Sequence, residues 1–389
     1  VIRKKMTKIL VITTTRADFG LLKNLIKSLK KNKFNCKVLA SGTHFSKYYG
    51  YTSNEIKNEN IKIDFKLKQK IITKNSIGIS KIISQFIKQV TKILNKSNPD
   101  LVVLLGDRYE ILGAAVAAHI SRIPIAHIHG GELTNGVIDD AFRHSITKMS
   151  QLHFVSNKVY RKRVIQLGEN PATVHTVGGM GVESIKNTKI FSQKIIEKKL
   201  KIKFLKKNLL INFHPETLHK GEAKYQVKEL INALKTLKNT CLIFTMPGAE
   251  VESKLIVGEI KKFVKNNKNS YYFRSLGQQN FFSILKIVDA MVGNSSSGLL
   301  EMPTFKKATL NLGDRQLGRV KSESVLDTNI KKKDIINSIN KIFSKKFQTK
   351  IKNSFNPYGN GGASEKIIKV LKENKKKKFI MKKFYDIKF

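Results

Sequence analysis

DLVVLLGDRYEILGAAVAAHISRIPIAHIHGGELTNGVIDDAFRHSITKMSQLHFVSN, residues 100–157, decides the fold class. Its apolar run Leu101–Leu105 shows no polar alternation, the pattern of a strand buried on both faces. A Gly-Asp-Arg turn follows, and then an alanine-rich stretch of helical length (109–121). PIAHIHGGE (124–132) reads as a strand and a loop, DDAFRHSITKMSQ (139–151) as a helix, and LHFVSN (152–157) as a further strand. Strand and helix alternating in this way argue for a parallel, doubly wound α/β sheet.

The pattern extends in both directions. KILVITTT (8–15) is apolar and β-branched, a buried strand; 16–31 has Phe19, Leu22, Leu25, Ile26 and Leu29 at helical spacing; FNCKVLASG (34–42) is another strand. A helix over 77–95 stops at Pro99. Around 171–205 the pattern weakens, and a second alternating block follows. Its strands are NLLINFHPE (208–216), NTCLIFTMPG (239–248), SYYFRSL (270–276), the start of MVGNSSSGLLEM (291–302) and ATLNLG (308–313); its helices cover 223–238, 250–266 and 280–290. The expected organisation is an N-terminal Rossmann-like domain (1–178) carrying acid/base residues and a C-terminal Rossmann-like nucleotide-binding domain (179–358). A helix (359–373) packs back on the first domain, and KKKKFIMKKFYDIKF at the end reads as a ragged basic tail (374–389) rather than a surface contact. A chain of 389 residues exceeds what one core usually supports, which fits two domains.

The formal net charge is +46, but only ten of the 74 basic residues are arginine, and the lysines are dispersed among Asn and Ile. Nucleic-acid readers lean on arginine for bidentate contacts, so the charge is read as compositional bias, with no nucleic-acid partner. A positive field still favours small anions such as nucleoside diphosphates. No apolar run is long enough to span a membrane. VIRKKMTKILVITTT reads as a first strand rather than a signal peptide, and Cys36 and Cys241, far apart, suggest neither a disulfide framework nor a cysteine metal site; both fit a reducing cytoplasm. Neither G-x-G-x-x-G after the first strand nor G-x-x-x-x-G-K-[ST] occurs, so dinucleotide and P-loop chemistry lose support.

In doubly wound domains, ligands gather at the carboxyl ends of strands, here expected to face an interdomain cleft. The strand-end residues are Arg16, Asp107 (a helix cap by its bland reading), His214, and the GNSSSGLLE run (293–301). That run presents backbone N–H groups and hydroxyls at a helix start, an anion cradle, with Glu301 placed to accept ribose hydroxyls. His127 and His129 alternate on a strand and so point to opposite faces, which does not demand a metal. Asp139 and Arg143, and Asp140 and His144, are i,i+4 pairs on a helix whose first turn faces the strand ends.

GDRYE, HIHGGELTNGVIDDAFRHSITKMSQLHF, FHPE and GNSSSGLLE…NLGDRQLGR, in that order, resemble the hydrolysing UDP-N-acetylglucosamine 2-epimerases of sialic and legionaminic acid biosynthesis. The likeness runs from about residue 8 to 372. It implies two Rossmann-like domains of GT-B type, no metal or other cofactor, and a homo-oligomer. The implied reaction takes UDP-N-acetylglucosamine, or a UDP- or GDP-linked 2,4-diacetamido-6-deoxy sugar. Elimination gives a 2-acetamidoglycal, and rehydration gives a free 2-epimer (ManNAc or a relative) plus nucleoside diphosphate. By matching motif positions, Asp107, Asp139, Arg143 and His214 are catalytic candidates. Arg16, His44 in SGTHF, Arg108, Ser295, Ser296, Ser297, Gly298, Glu301 and Arg315 are binding candidates. Several family members carry a glutamate acid/base where this chain has His129; either His129 takes that role or Glu132 does. The competing readings are a GT-B glycosyltransferase, which needs an acceptor, and a non-hydrolysing epimerase, which keeps the nucleotide attached.

Overall fold

The fully apolar Leu101–Leu105 run is the fourth strand of a seven-stranded sheet in the computed structural model, which describes residues 7–47, 50–69, 75–134, 138–216, 221–247, 252–374 and 382–388. The strands of this sheet are β1 (Lys8–Thr13), β2 (Asn35–Ala40), β3 (Phe65–Lys66), β4 (Leu101–Leu105), β5 (Ile125–Ile128), β6 (Leu152–Val155) and β7 (Val174–Thr176). They lie in the order β3-β2-β1-β4-β5-β6-β7, every pair parallel. Neighbouring residues of β1 serve opposite faces. Ile9 and Val11 pack with Leu22, Leu25 and Ile26 of the helix Arg16–Lys31 and with Ile367 of the helix Ala363–Glu373. Leu10 and Ile12 pack with Phe86 and Val90 of the helix Ser76–Ser97 and Ala114 of the helix Tyr109–Ile120. A strand covered on both sides has no polar face, which is why its sequence lacks alternation.

The second sheet has six parallel strands: β8 (Lys207–Asn212), β9 (Thr240–Thr245), β10 (Ser270–Phe273), β11 (Ala290–Gly293), β12 (Ala308–Leu312) and β13 (Val325–Thr328), in the order β10-β9-β8-β11-β12-β13. Leu209, Ile211 and Phe213 face one core cluster, and Leu210 the other. The chain divides into two compact units, 1–132 with 139–184 and 358–389, and 133–138 with 185–357. In both sheets the chain runs outward from the first strand and crosses back to lay the fourth strand beside it. Each sheet therefore has a topological switch point, at β1/β4 and at β8/β11.

The start expected for a helix at 250 lies outside the described residues, as does 375–381 of the basic stretch. Lys382–Lys388 is not a loose tail: Lys382, Phe384 and Tyr385 all contact the first unit. The weak region 171–205 holds β7 and the helices Met180–Lys186 and Gln193–Leu200, elements too short to carry a long periodic signal.

Candidate active site

At the β4 end, Gly106 turns the chain with a φ of +81°, and Asp107 leaves the sheet. Asp107 does not cap the next helix. The cap position is Arg108, without a side-chain cap bond, and the Asp107 carboxylate pairs with the Arg143 guanidinium from the helix Asp139–Met149. Arg143 is 2% exposed, and among the described residues its Nε and Nη1 have no hydrogen-bond partner. Unused donors on a buried cation are costly unless an anion meets them. Asp140 pairs with His144 at 3.5 Å, as the i,i+4 spacing suggests. Arg108 is held through Nε and Nη2 by the buried Glu110 carboxylate, at 3.1 and 3.2 Å, and lies over the Tyr109 ring.

The β5 end resolves into two histidines with different work. His127 is fully buried; its Nε2–H donates to the Gly106 carbonyl at 2.8 Å, and its Nδ1 meets the Thr147 hydroxyl at 3.1 Å. Burial pushes its pKa down to about 3, outweighing the Gly106 bond, so the ring is neutral. His129, just past the strand, has a φ of +67°, a conformation that costs a non-glycine residue about 1–3 kcal/mol and gathers at functional sites. Its Nε2 accepts the Met180 N–H at 3.3 Å. The ring proton therefore sits on Nδ1, 3.1 Å from Glu132 Oε1, and Ser156 donates to the same carboxylate oxygen at 3.2 Å. His129 and Glu132 are one buried hydrogen-bonded pair.

At the β1 end, Arg16 opens its helix with Nη1 buried and without a partner among the described residues; burial lowers its pKa, and Glu55 partly offsets this. Behind it Asp18 accepts the backbone N–H groups of Thr14 and Thr15 and closes a capping box with Thr15. His44 is wholly buried, with Nε2 on the Thr13 hydroxyl (3.0 Å) and Nδ1 on the Thr52 hydroxyl (2.9 Å). Burial lowers its pKa, against the pull of Asp18. Its ring braces the strand end rather than reaching out from it.

The second unit presents different chemistry. Asn294, fully buried after β11, clamps the β8 end: its Oδ1 accepts the His214 N–H at 2.7 Å and its Nδ2 donates to the His214 carbonyl at 2.8 Å. Its own carbonyl accepts from Arg315 Nη1 (3.2 Å) and Gln316 Nε2 (2.8 Å). Glu216 Oε1 accepts the backbone N–H groups of Asp314 and Arg315, tying the β8 and β12 loops together. At Gly293 any side chain would start 2.0 Å from the Asn212 carbonyl oxygen, so only glycine fits. The helix expected after the serines is a single turn, Ser297–Leu300, so its dipole adds little; the donors there are local N–H groups and hydroxyls. Ser295 is buried and its Oγ accepts the Ser297 N–H at 3.4 Å; Ser296 is the half-buried residue between them. Gly298 lets the turn pack against Thr309, and Glu301 is buried at its end.

Asp107 and Arg143 thus meet directly, and so do His129 and Glu132. Asp139 opens the Arg143 helix, and Arg16 opens the helix after β1. His214, Ser295–Ser297 and Arg315 gather about the β8/β11 switch point through Asn294. Sequence reasoning missed the structural roles of Asp18, Asn294 and the His127–Thr147 pair. Only T-x-x-D at 15–18, a capping-box spacing, carried a local signal.

Two doubly wound parallel sheets, with ionised groups and hydrogen-bond donors at their carboxyl edges, define a GT-B-like α/β class. The family model described as UDP-N-acetylglucosamine 2-epimerase matches residues 27–372, and the chain belongs to that family. It is 40% identical, over 88% of both chains, to a GDP/UDP-N,N′-diacetylbacillosamine 2-epimerase (hydrolyzing) of Campylobacter jejuni. It is 36% identical, over 98% of both chains, to polysialic acid biosynthesis protein P7 of Escherichia coli. Among solved structures, UDP-GlcNAc 2-epimerase from Neisseria meningitidis bound to UDP-GlcNAc shares the fold, with a TM-score of 0.82 at 21% identity, covering 95% of this chain and 100% of that one. Among the described residues no helix is long and apolar enough to cross a membrane.

Proposed function

We propose that this chain is a hydrolysing 2-epimerase whose substrate is a nucleoside-diphosphate-linked 2-acetamido sugar. The observation that carries the reading is the pair of Asp107 with buried Arg143, two of whose guanidinium nitrogens have no partner among the described residues, together with the His129–Glu132 pair. Loss of a weakly acidic C2 proton needs a positioned base, and return of a proton from the other ring face needs a second one. Asp107 serves one face. The His129–Glu132 pair serves the other as a unit, histidine passing a proton to or from its carboxylate partner. Asp139 and Arg143 hold the sugar's charge as it develops, and Arg16 binds phosphate oxygens.

The C2–H proton goes to the base, and the C1–O bond to the diphosphate breaks, leaving a 2-acetamidoglycal. Water then gives hydroxyl to C1 and its remaining proton to solvent, while the second group returns a proton to C2. His214, Arg108, Arg315 and Ser295–Gly298 serve the departing diphosphate, and Glu301 the ribose. His44 acts at one remove, by holding the β1 end.

Within this reading, the substrate is a UDP- or GDP-linked diacetamido-6-deoxy sugar of the kind the Campylobacter jejuni relative is named for, with UDP-N-acetylglucosamine and a ManNAc product as the second candidate. Similarity to the polysialic acid protein supports a place in the synthesis of sialic-type acids, including legionaminic acid. The proposed enzyme works in the cytoplasm as a homo-oligomer. The test is incubation with UDP-GlcNAc and with UDP- and GDP-diacetamido sugars without an acceptor, measuring nucleotide and free sugar. Release of both from at least one supports the reading. Release only after an acceptor is added makes the chain a transferase, and a 2-epimer still carrying its nucleotide makes it a non-hydrolysing epimerase.

A further inference from the structure

The segment Lys382–Lys388 plays no part in the site described so far, yet one of its residues has an unusually complete set of partners. Lys382 Nζ donates to the carbonyls of Lys148 (2.7 Å) and Ser150 (2.8 Å), lies 3.4 Å from the Thr147 carbonyl, and pairs with Glu169 Oε2 at 2.6 Å. Those carbonyls belong to the last turn and exit of the helix Asp139–Met149. A cation there satisfies carbonyls that lack partners within the helix and complements its dipole. The segment is fixed beside this contact: the Tyr385 N–H donates to the Gly168 carbonyl at 3.0 Å, Phe384 lies over Gly168, and Lys148 Nζ sits 4.8 Å above the Phe384 ring.

The capped helix carries Arg143 and Asp139, and Thr147 joins the cap to the site. The Thr147 hydroxyl holds His127 Nδ1, the His127 Nε2–H holds the Gly106 carbonyl, and Gly106 precedes Asp107, which pairs with Arg143 one helical turn from Thr147. Asp107, Arg143, Thr147, His127 and Gly106 thus form a closed ring of contacts, and Lys382 grips that ring at its helical side.

We infer that Lys382 is a positioning residue that holds the helix Asp139–Met149 in the register that pairs Arg143 with Asp107. This rests on the functional reading above for its kinetic consequence, but not for its structural one. The test uses the full chain with Lys382→Met, Lys382→Arg and Lys148→Met, measuring turnover per folded molecule and amide hydrogen exchange. Lys148 shares Glu169 with Lys382 but gives its other bond to the Leu167 carbonyl, so it separates charge balance at Glu169 from capping of the helix.

Misplacing catalytic groups by about 1 Å can cost about a hundredfold, and a loosened helix end less, so Lys382→Met should lower kcat about tenfold with KM within about twofold. Lys382→Arg, which keeps the cation and its donors, should recover most of the loss. Lys148→Met should leave kcat near the wild-type value. Exchange should speed up over 139–150 and 106–108 in Lys382→Met alone. Unchanged exchange over 139–150 in Lys382→Met overturns the inference whatever substrate the wild-type chain proves to use. So does an equal kcat loss in Lys148→Met, or a kcat loss in Lys382→Met that disappears when scaled to the folded fraction.

Discussion

The two sheets share one strand order and one kind of switch point, yet their carboxyl edges differ in chemistry. The first edge carries side chains that ionise, each held by a second buried group, Asp107 by Arg143 and Glu132 by His129, while buried His127 holds the Gly106 carbonyl. The second edge carries donors fixed by amide and backbone contacts: Asn294 on both backbone groups of His214, Glu216 on the N–H groups of Asp314 and Arg315, and serines on a one-turn helix. The fold supplies the place, and the residues supply the task. On the proposed reading, proton transfer belongs to the first unit, which also offers Arg16 and Arg108 to the phosphates, and the second unit's task is confined to holding the nucleotide.

The largest effect should follow removal of a proton-transfer group. Asp107→Asn should reduce kcat by at least about two orders of magnitude, the worth of a general acid or base, while thermal unfolding stays near the wild-type midpoint. An Asp107→Asn chain with normal turnover would break the division between the units. His129→Ala and Glu132→Gln should each cost about two orders as well. Because the two act as one unit, the double variant should be little worse than either, which steady-state kinetics on all three variants would show. Additive losses would separate them.

Next in size is a backbone effect in the second unit. Gly293→Ala drives Cβ against the Asn212 carbonyl and should destabilise that unit by about 2–4 kcal/mol, visible as a lower denaturation midpoint.

A pH effect should then distinguish the first unit. The folded pKa of His127 is about 3 against an ordinary 6.5, so the unfolded chain binds the proton first. Its contribution is intact above about pH 6.5 and is lost as pH falls toward 3. Glu169 adds to this with the same sign. Burial opposes its charge, but hydrogen bonds from His153, Lys148 and Lys382 outweigh burial and hold it to about 2, so its contribution is lost between about 4.5 and 2. Hydrogen exchange at pH 7 and pH 5 should show protection falling in peptides of β4, β5 and β6 at the lower pH. Equal protection there at both pH values would contradict a neutral, buried His127.

The smallest effect belongs to the second edge: Ser296→Ala should raise KM about threefold to tenfold with kcat nearly unchanged, as removal of one hydrogen bond does.

The apolar, uninterrupted strands were legible because burial on both faces leaves no polar position, and the helices behind them because Leu22, Leu25 and Leu29 keep a helical period. The edge strands β3, β7 and β13 were not, since two to four residues carry too little pattern. At the site, the strand-end positions of Asp107 and His214 could be read, but their partners could not. Asp107 meets Arg143 36 residues away, and His214 meets Asn294 80 residues away, and neither spacing leaves a local trace. Whether His129 or Glu132 mattered was undecidable from a three-residue spacing; a φ of +67° turns the ring onto the carboxylate and joins them.

The most direct measurement of the central claim is reaction in D2O of whichever nucleotide sugar is turned over, with mass and NMR analysis of the free sugar. Elimination followed by rehydration predicts a free 2-epimer carrying one deuterium at C2 and released nucleoside diphosphate. Free sugar without deuterium at C2 would contradict it.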